Sequence, residues 1–239
     1  MRAEKIAERL EANGIPFAPD LPEKIRIYLD LLQEWNGRMD LTAVEGEADL
    51  LDRHFLDSLT VLKTDLLADT DTLIDVGTGA GFPGMAVALA KPGIRVTLLD
   101  SQQKRLNFLS AVAEATGAEN IGLVHARAED GARRPDMREQ FDAACARAVA
   151  PLNVLSELLL PYLRVGGKML CWKGPAVEEE MESGRRAAFL LGGKPESVIA
   201  CPLAGRDWDH RILTVIKTGT TPRKYPRKAG TPQKEPLGT

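Results

Sequence analysis

Three sets of side chains in this sequence have the types and spacing to do chemistry. They are a glycine-rich stretch at residues 73–84, a polar cluster at residues 53–57, and a cation-rich stretch at the carboxyl end. The first reads L-I-D-V-G-T-G-A-G-F-P-G, an apolar-biased run that enters four glycines and is followed at once by Met85, Val87, Leu89 and Ala90 at helical spacing. A buried strand, a tight glycine turn and a helix N-terminus make a crevice for a nucleotide-containing cofactor. Gly77, Gly79 and Gly81 admit positive φ and let backbone approach a ligand where a Cβ would intrude.

The glycines fit two frames. Gly79-x-Gly81-x-x-Gly84 matches the dinucleotide fingerprint, in which a pyrophosphate rests on the helix N-terminus. Asp75-x-Gly77-x-Gly79-x-Gly81 matches the first motif of S-adenosyl-L-methionine (SAM) methyltransferases, where an acid at the strand end answers the cofactor's ammonium. Asp75 favours SAM, because a carboxylate beside a pyrophosphate would be repelled. Asp100, closing the strand expected over residues 95–99, suits a ribose diol in either cofactor. In the turn A-R-A-E-D at 126–130, Glu129 or Asp130 could accept from an adenine amine or cap a helix.

The end of the fourth expected strand, residues 141–146, leads into R-A-V-A-P at 147–151. An Asn or Asp followed by Pro-Pro and an aromatic, as amine methyltransferases carry there, is missing, and Cys145 sits within an apolar strand without a Pro-Cys dipeptide. Arg147 cannot act as a base at neutral pH, so the pattern points to an acceptor that needs no deprotonation.

The elements that must position these groups follow from periodicity. Helices are expected over the first 68 residues, the third at 47–62 carrying R-H-F-L-D-S-L, where Arg53 and Asp57 stand at i,i+4 beside His54. Strands and helices then alternate from residue 72, which argues for a mainly parallel α/β sheet of Rossmann-like type. Two closing strands, around 197–201 and 211–217, joined by a turn-rich loop at 203–210, favour the methyltransferase version, whose final strand is antiparallel. The expected organisation is a helical region at 1–68, a cofactor-binding domain at 69–217 and a basic tail at 218–239. That tail sets Arg223, Lys224, Arg227, Lys228 and Lys234 against the single acid Glu235; its few apolar residues suggest solvation and phosphate contact.

With 239 residues and a formal charge of −3, the chain has no overall polyanion-attracting field, so its charge distribution matters more than its sum. Three dispersed cysteines and no Cys/His cluster suggest free thiols in a reducing compartment and no metal. The charged amino terminus is no signal peptide, and no run is apolar enough for a bilayer, so a cytoplasmic protein is expected.

The ordered set W-N-G-R-M-D-L-T-A, R-H-F-L-D-S-L, D-V-G-T-G-A-G-F-P-G, L-L-D-S-Q-Q-K-R-L-N-F-L, R-A-V-A-P-L and R-K-Y-P-R-K-A-G-T-P-Q-K-E-P-L closely resembles the bacterial small-subunit rRNA guanine-N7 methyltransferase family, RsmG or glucose-inhibited division protein B, over residues 20–237. The resemblance implies a class I methyltransferase fold with SAM as cofactor and N7 of one guanine in the 530 loop of 16S rRNA as target. It carries cofactor contacts onto Gly77, Phe82, Ala128, Glu129 and Arg147, with Asp100 at the ribose. Asp57, assisted by His54 and Arg147, is the candidate for meeting the guanine, and Arg53, Lys173, Arg223, Lys224, Arg227 and Lys228 are candidate RNA contacts. The implied partner is 16S rRNA, as the 30S subunit or an assembly intermediate, met by a monomer. Two departures stand out: Asp40 replaces the family's usual asparagine, and Ala146 a common serine. An NAD-dependent oxidoreductase, a non-catalytic RNA-binding assembly factor and a small-molecule methyltransferase remain as alternatives.

Overall fold

In a computed structural model, which describes residues 1–147 and 150–239, seven strands form one sheet in the order β3-β2-β1-β4-β5-β7-β6. Strands β1 (Thr72–Val76), β2 (Arg95–Asp100), β3 (Ile121–His125), β4 (Phe141–Arg147) and β5 (Leu163–Lys173) pair in parallel. β7 (Arg211–Lys217) runs antiparallel between β5 and β6 (Gly193–Ala200), as the closing pattern predicts. β5 begins earlier than its expected 168–172, because the R-V-G-G residues extend the strand with an irregular register opposite Phe141 and Ala143.

Both faces of the sheet are covered, as a parallel sheet requires. Leu73 faces the core that holds α1 (Ala3–Ala12), α2 (Leu21–Met39), α5 (Gly84–Ala90) and α6 (Gln103–Thr116), whereas Ile74 and Val76 face α8 (Leu152–Leu159) and α9 (Val177–Leu190). The amino-terminal helices thus share their core with the cofactor strand. Among the described residues, no helix is long and apolar enough to cross a membrane.

Two segments depart from expectation. The helix expected over 47–62 is not uniform: α3 (Glu47–Leu50) passes through a π-helical segment (Leu51–Leu56) into α4 (Asp57–Leu59) and a 3-10 turn (Thr60–Lys63). The wider turn places Arg53 and His54 in a stretch whose backbone carbonyls meet Arg147. The carboxyl-terminal stretch, expected to be solvated, instead packs against α8 and α9, with Tyr225 and Leu237 in that core and α10 (Thr231–Lys234) closing it. Its scarcity of apolar residues is offset by carbonyls and an ion pair that reach far-off partners.

Candidate functional site

The glycine turn is held from beneath. Asp75 is completely enclosed, and its Oδ2 accepts the Thr78 hydroxyl (2.7 Å) and the Gly84 N–H (2.9 Å) that opens α5. Burial outweighs these bonds and lifts its carboxyl to about 6. Asp75 was expected to face the cofactor; in the structure it organises the turn. A Cβ on Gly84 would lie 2.5 Å from that of Asp75, so this glycine of the dinucleotide frame is required by helix-to-strand packing. Gly81, at φ +97°, would drive a Cβ into Tyr28 and Leu109.

Above the turn, Gly77, Asp100, Ala128, Glu129 and Arg147 line a single cavity of about 400 Å³. Asp100 accepts the N–H groups of Gly79 (2.9 Å) and Gln102 (2.8 Å), which aims its carboxylate at the end of β2. Gly79 turns at φ +59°, and a Cβ there would meet only Gly77 O, at an ordinary contact distance of 3.9 Å. Glu129 belongs to α7 (Ala128–Gly131) and accepts the Gly230 N–H at 2.7 Å. An acid at the second strand end, a second acid on the third turn and small residues between them fit the nucleoside of SAM.

A second cavity, of about 320 Å³, is lined by Val44, Arg53, His54, Asp57, Arg147, Trp172, Lys173, Gly174 and His210. Arg147 borders both. Its guanidinium donates to Arg53 O (2.8 Å), Asp57 Oδ2 (3.1 Å) and His54 Nδ1 (3.0 Å), and it lies 5.3 Å over the Phe82 ring. A guanidinium only donates, so Nδ1 of His54 accepts and its proton sits on Nε2, facing the Thr42 hydroxyl at 2.8 Å. Burial, with the Arg147 charge beside it, lowers His54 to about 4, so it is neutral at physiological pH. Phe82 stacks on both His54 and Tyr28, beneath the wall between the cavities. Ala148 and Val149, inside the R-A-V-A-P motif, lie outside the described residues.

The structure brings Asp57, His54 and Arg147 together, and adds His210, which sequence reasoning missed. Asp57 was expected to meet the base; each of its oxygens already has a protein donor, Arg147 on one and His210 Nδ1 (2.8 Å) on the other. That bond to Asp57 raises the His210 pKa. His210 stacks on Trp208, which also lies under the guanidinium groups of Arg53 (4.5 Å) and Arg206 (4.9 Å). No local pattern marks His210, since its partner is 153 residues away; the turn-rich loop was the available signal. Lys173 lines the second cavity with its ammonium on Glu180 and Ala150 O. Arg223, Lys224 and Lys228 are exposed, whereas Arg227 forks onto the buried Glu157. Asp40 ends α2 at φ +49°, a conformation that Asn and Asp both tolerate, which accounts for that departure.

The strand order, the antiparallel β7, the glycine turn and the acid closing β2 define a class I SAM-dependent methyltransferase. Solved structures share the fold: a 16S rRNA (adenine(1408)-N(1))-methyltransferase variant from Catenulisporales acidiphilia (TM-score 0.52, 18% identity, 66% of this chain and 90% of that one) and fibrillarin from Aeropyrum pernix (TM-score 0.52, 17% identity, 67% and 73%). The family model for GidB, rRNA small subunit methyltransferase G, matches residues 22–208. Curated relatives of that description include those of Clostridium botulinum strain Alaska E43 (45% identical over 224 residues, 94% of each chain) and Alkaliphilus oremlandii (48% over 210 residues, 88% of each). The chain belongs to the rRNA small subunit methyltransferase G family, SAM-dependent enzymes that methylate a guanine of 16S rRNA. Membership decides between the two glycine frames in favour of SAM and sets the oxidoreductase alternative aside.

Proposed function

We propose that this chain methylates N7 of one guanine in the 530 loop of 16S rRNA, acting as a cytoplasmic monomer on the 30S subunit or an assembly intermediate. The observation that carries this reading is that a nucleoside-sized crevice and a second, polar cavity meet at one residue, Arg147. Gly77, Asp100, Ala128 and Glu129 would hold the cofactor, Asp100 at the ribose diol and Glu129 towards the adenine amine. SAM supplies an electrophilic methyl group there.

Guanine N7 has a lone pair at neutral pH, so no side chain has to remove a proton before attack. This agrees with a wall made of a permanent cation and a neutral imidazole. The second cavity then acts mainly by placement, an effect worth roughly 7–11 kcal/mol of barrier at best. His210, fixed through Nδ1 on Asp57, presents Nε2, and in the imidazolium form that the Asp57 bond favours this second N–H can donate to the O6 beside N7. Asp57 balances Arg147 and the positive charge left on the methylated base. Arg53 and the exposed Arg223, Lys224 and Lys228 hold RNA phosphates.

Incubating the purified chain with labelled SAM and either naked 16S rRNA or 30S subunits, then mapping the label by mass spectrometry, tests the proposal. The expected product is one N7-methylguanine within the 530 loop. Label on another base or another guanine atom would refute it.

A further inference from the structure

The carboxyl-terminal stretch passes beside the cofactor crevice. After β7, the buried Lys217 ammonium donates to Leu160 O (2.7 Å), and Thr221 is pinned by Glu139 (2.7 Å) and Leu191 O (2.8 Å). Arg138 gathers the carbonyls of Thr221 (2.8 Å) and Tyr225 (2.9 Å), and Arg133 that of Pro226 (2.8 Å). Arg227 then locks onto Glu157, a carboxylate with no exposure, through its own N–H (2.7 Å) and its guanidinium (2.7 Å). Three residues further on, Gly230 turns at φ +82° and gives its N–H to Glu129 Oε1 at 2.7 Å. Glu129 lines the crevice from a single helical turn, whose Ala128 carbonyl is held on the other side by the Tyr162 hydroxyl at 2.7 Å.

We propose that residues 221–235 form a strap that sets adenine recognition, with Gly230, anchored by Arg227, fixing the Glu129 carboxylate so that its second oxygen meets the cofactor's exocyclic amine. This rests on the reading that the crevice takes SAM. A glutamate on a one-turn helix has three free torsions. A backbone N–H on Oε1 removes that freedom before the ligand arrives. Gly230 is required for conformation and not for space, since a Cβ there meets nothing within 4 Å. A β-branched residue at φ +82° must therefore shift the backbone and withdraw the donor, while asparagine tolerates the left-handed region. Gly230 and Arg227 are positioning residues; Glu129 is the group that touches the ligand.

The test is titration calorimetry on the full chain with S-adenosylhomocysteine and with S-inosylhomocysteine, in which a carbonyl replaces the amine. The native chain should prefer the adenine compound about tenfold, as for one charge-assisted hydrogen bond. Gly230→Val should erase most of that preference by weakening the adenine compound alone, and Gly230→Asn should restore it. Preference retained in Gly230→Val, or equal loss for both ligands, overturns the strap. A native chain that binds both compounds equally overturns the role of Glu129, and one that binds neither overturns the cofactor reading with it. Should Gly230→Val not fold, amide exchange in the native chain decides: S-adenosylhomocysteine should slow exchange at Gly230 at least about fivefold, because coupling between sites is reciprocal. Unchanged exchange overturns the proposal.

Discussion

Asp57 holds two donors of different kinds. Its Oδ2 meets Arg147, a permanent cation, and its Oδ1 meets His210, whose charge depends on that contact. Replacing Asp57 by Asn keeps the shape but removes the negative charge. The amide must also turn its NH₂ towards one of two donors, Arg147 or His210. The His210 pKa should then fall back towards its ordinary 6.5, visible in an NMR titration of its ring. Charge-assisted bonds of this type are worth about 1.5–3 kcal/mol, so turnover should drop roughly 10- to 100-fold. SAM affinity should change little, since Asp57 lines the second cavity and not the crevice. If turnover and SAM affinity fall together, Asp57 serves the cofactor side of the wall; if neither moves, its proposed role is gone.

At the scale of elements, the π-helical segment and the glycine turn flank Arg147 and respond to pH in opposite senses. His54, in the first, is held at about 4 against an ordinary 6.5. Between these values the unfolded chain binds the extra proton, so stability rises as pH climbs from about 4 to 6.5. Asp75, under the second, is lifted to about 6 from 3.8. There the folded chain binds the extra proton, and stability falls as pH climbs across that window. The two oppose each other in the native chain. Asp75→Asn can retain the Thr78 and Gly84 bonds through its carbonyl while abolishing the titration. Urea unfolding of this variant should therefore gain stability more steeply between pH 4 and 6 than the native chain does. Equal slopes would mean that Asp75 takes up no proton on folding.

The same elements show what local sequence can and cannot convey. Strands β3 and β7 occupy the residues that alternation and turn chemistry predict: β7, antiparallel between β5 and β6, is a run buried from Ile212 to Val215, and β3, half-exposed at the sheet edge, is marked by the β-branched Ile121 and Val124 between two turns. The π-helical segment was illegible. One extra residue in a turn alters backbone bonding without breaking the apolar spacing of Leu51, Phe55 and Leu59. The strap was misread for a different reason. It docks through Arg133, Arg138 and Glu157, partners about 70 to 90 residues upstream that no window of composition contains.

At the scale of the whole molecule, packing of the carboxyl-terminal stretch redistributes the cations available to RNA. Arg227 is committed to Glu157 and Lys173 to Glu180, whereas Arg223, Lys224 and Lys228 stand exposed on the strap. Deleting residues 220–239 would also strip Thr221 from Lys217 and take Arg227 from Glu157, leaving that buried carboxylate without its ion pair, so it cannot isolate phosphate contact. Replacing Arg223, Lys224 and Lys228 together by Gln removes three positive charges and leaves the anchors in place. If each neutralises one phosphate, the slope of log K against log salt for 16S rRNA binding should shrink by about 2 to 3. S-adenosylhomocysteine affinity should stay unchanged, because none of the three lines the crevice. A slope equal to that of the native chain would show that RNA meets another face, with Arg53 beside the second cavity as the next position to neutralise.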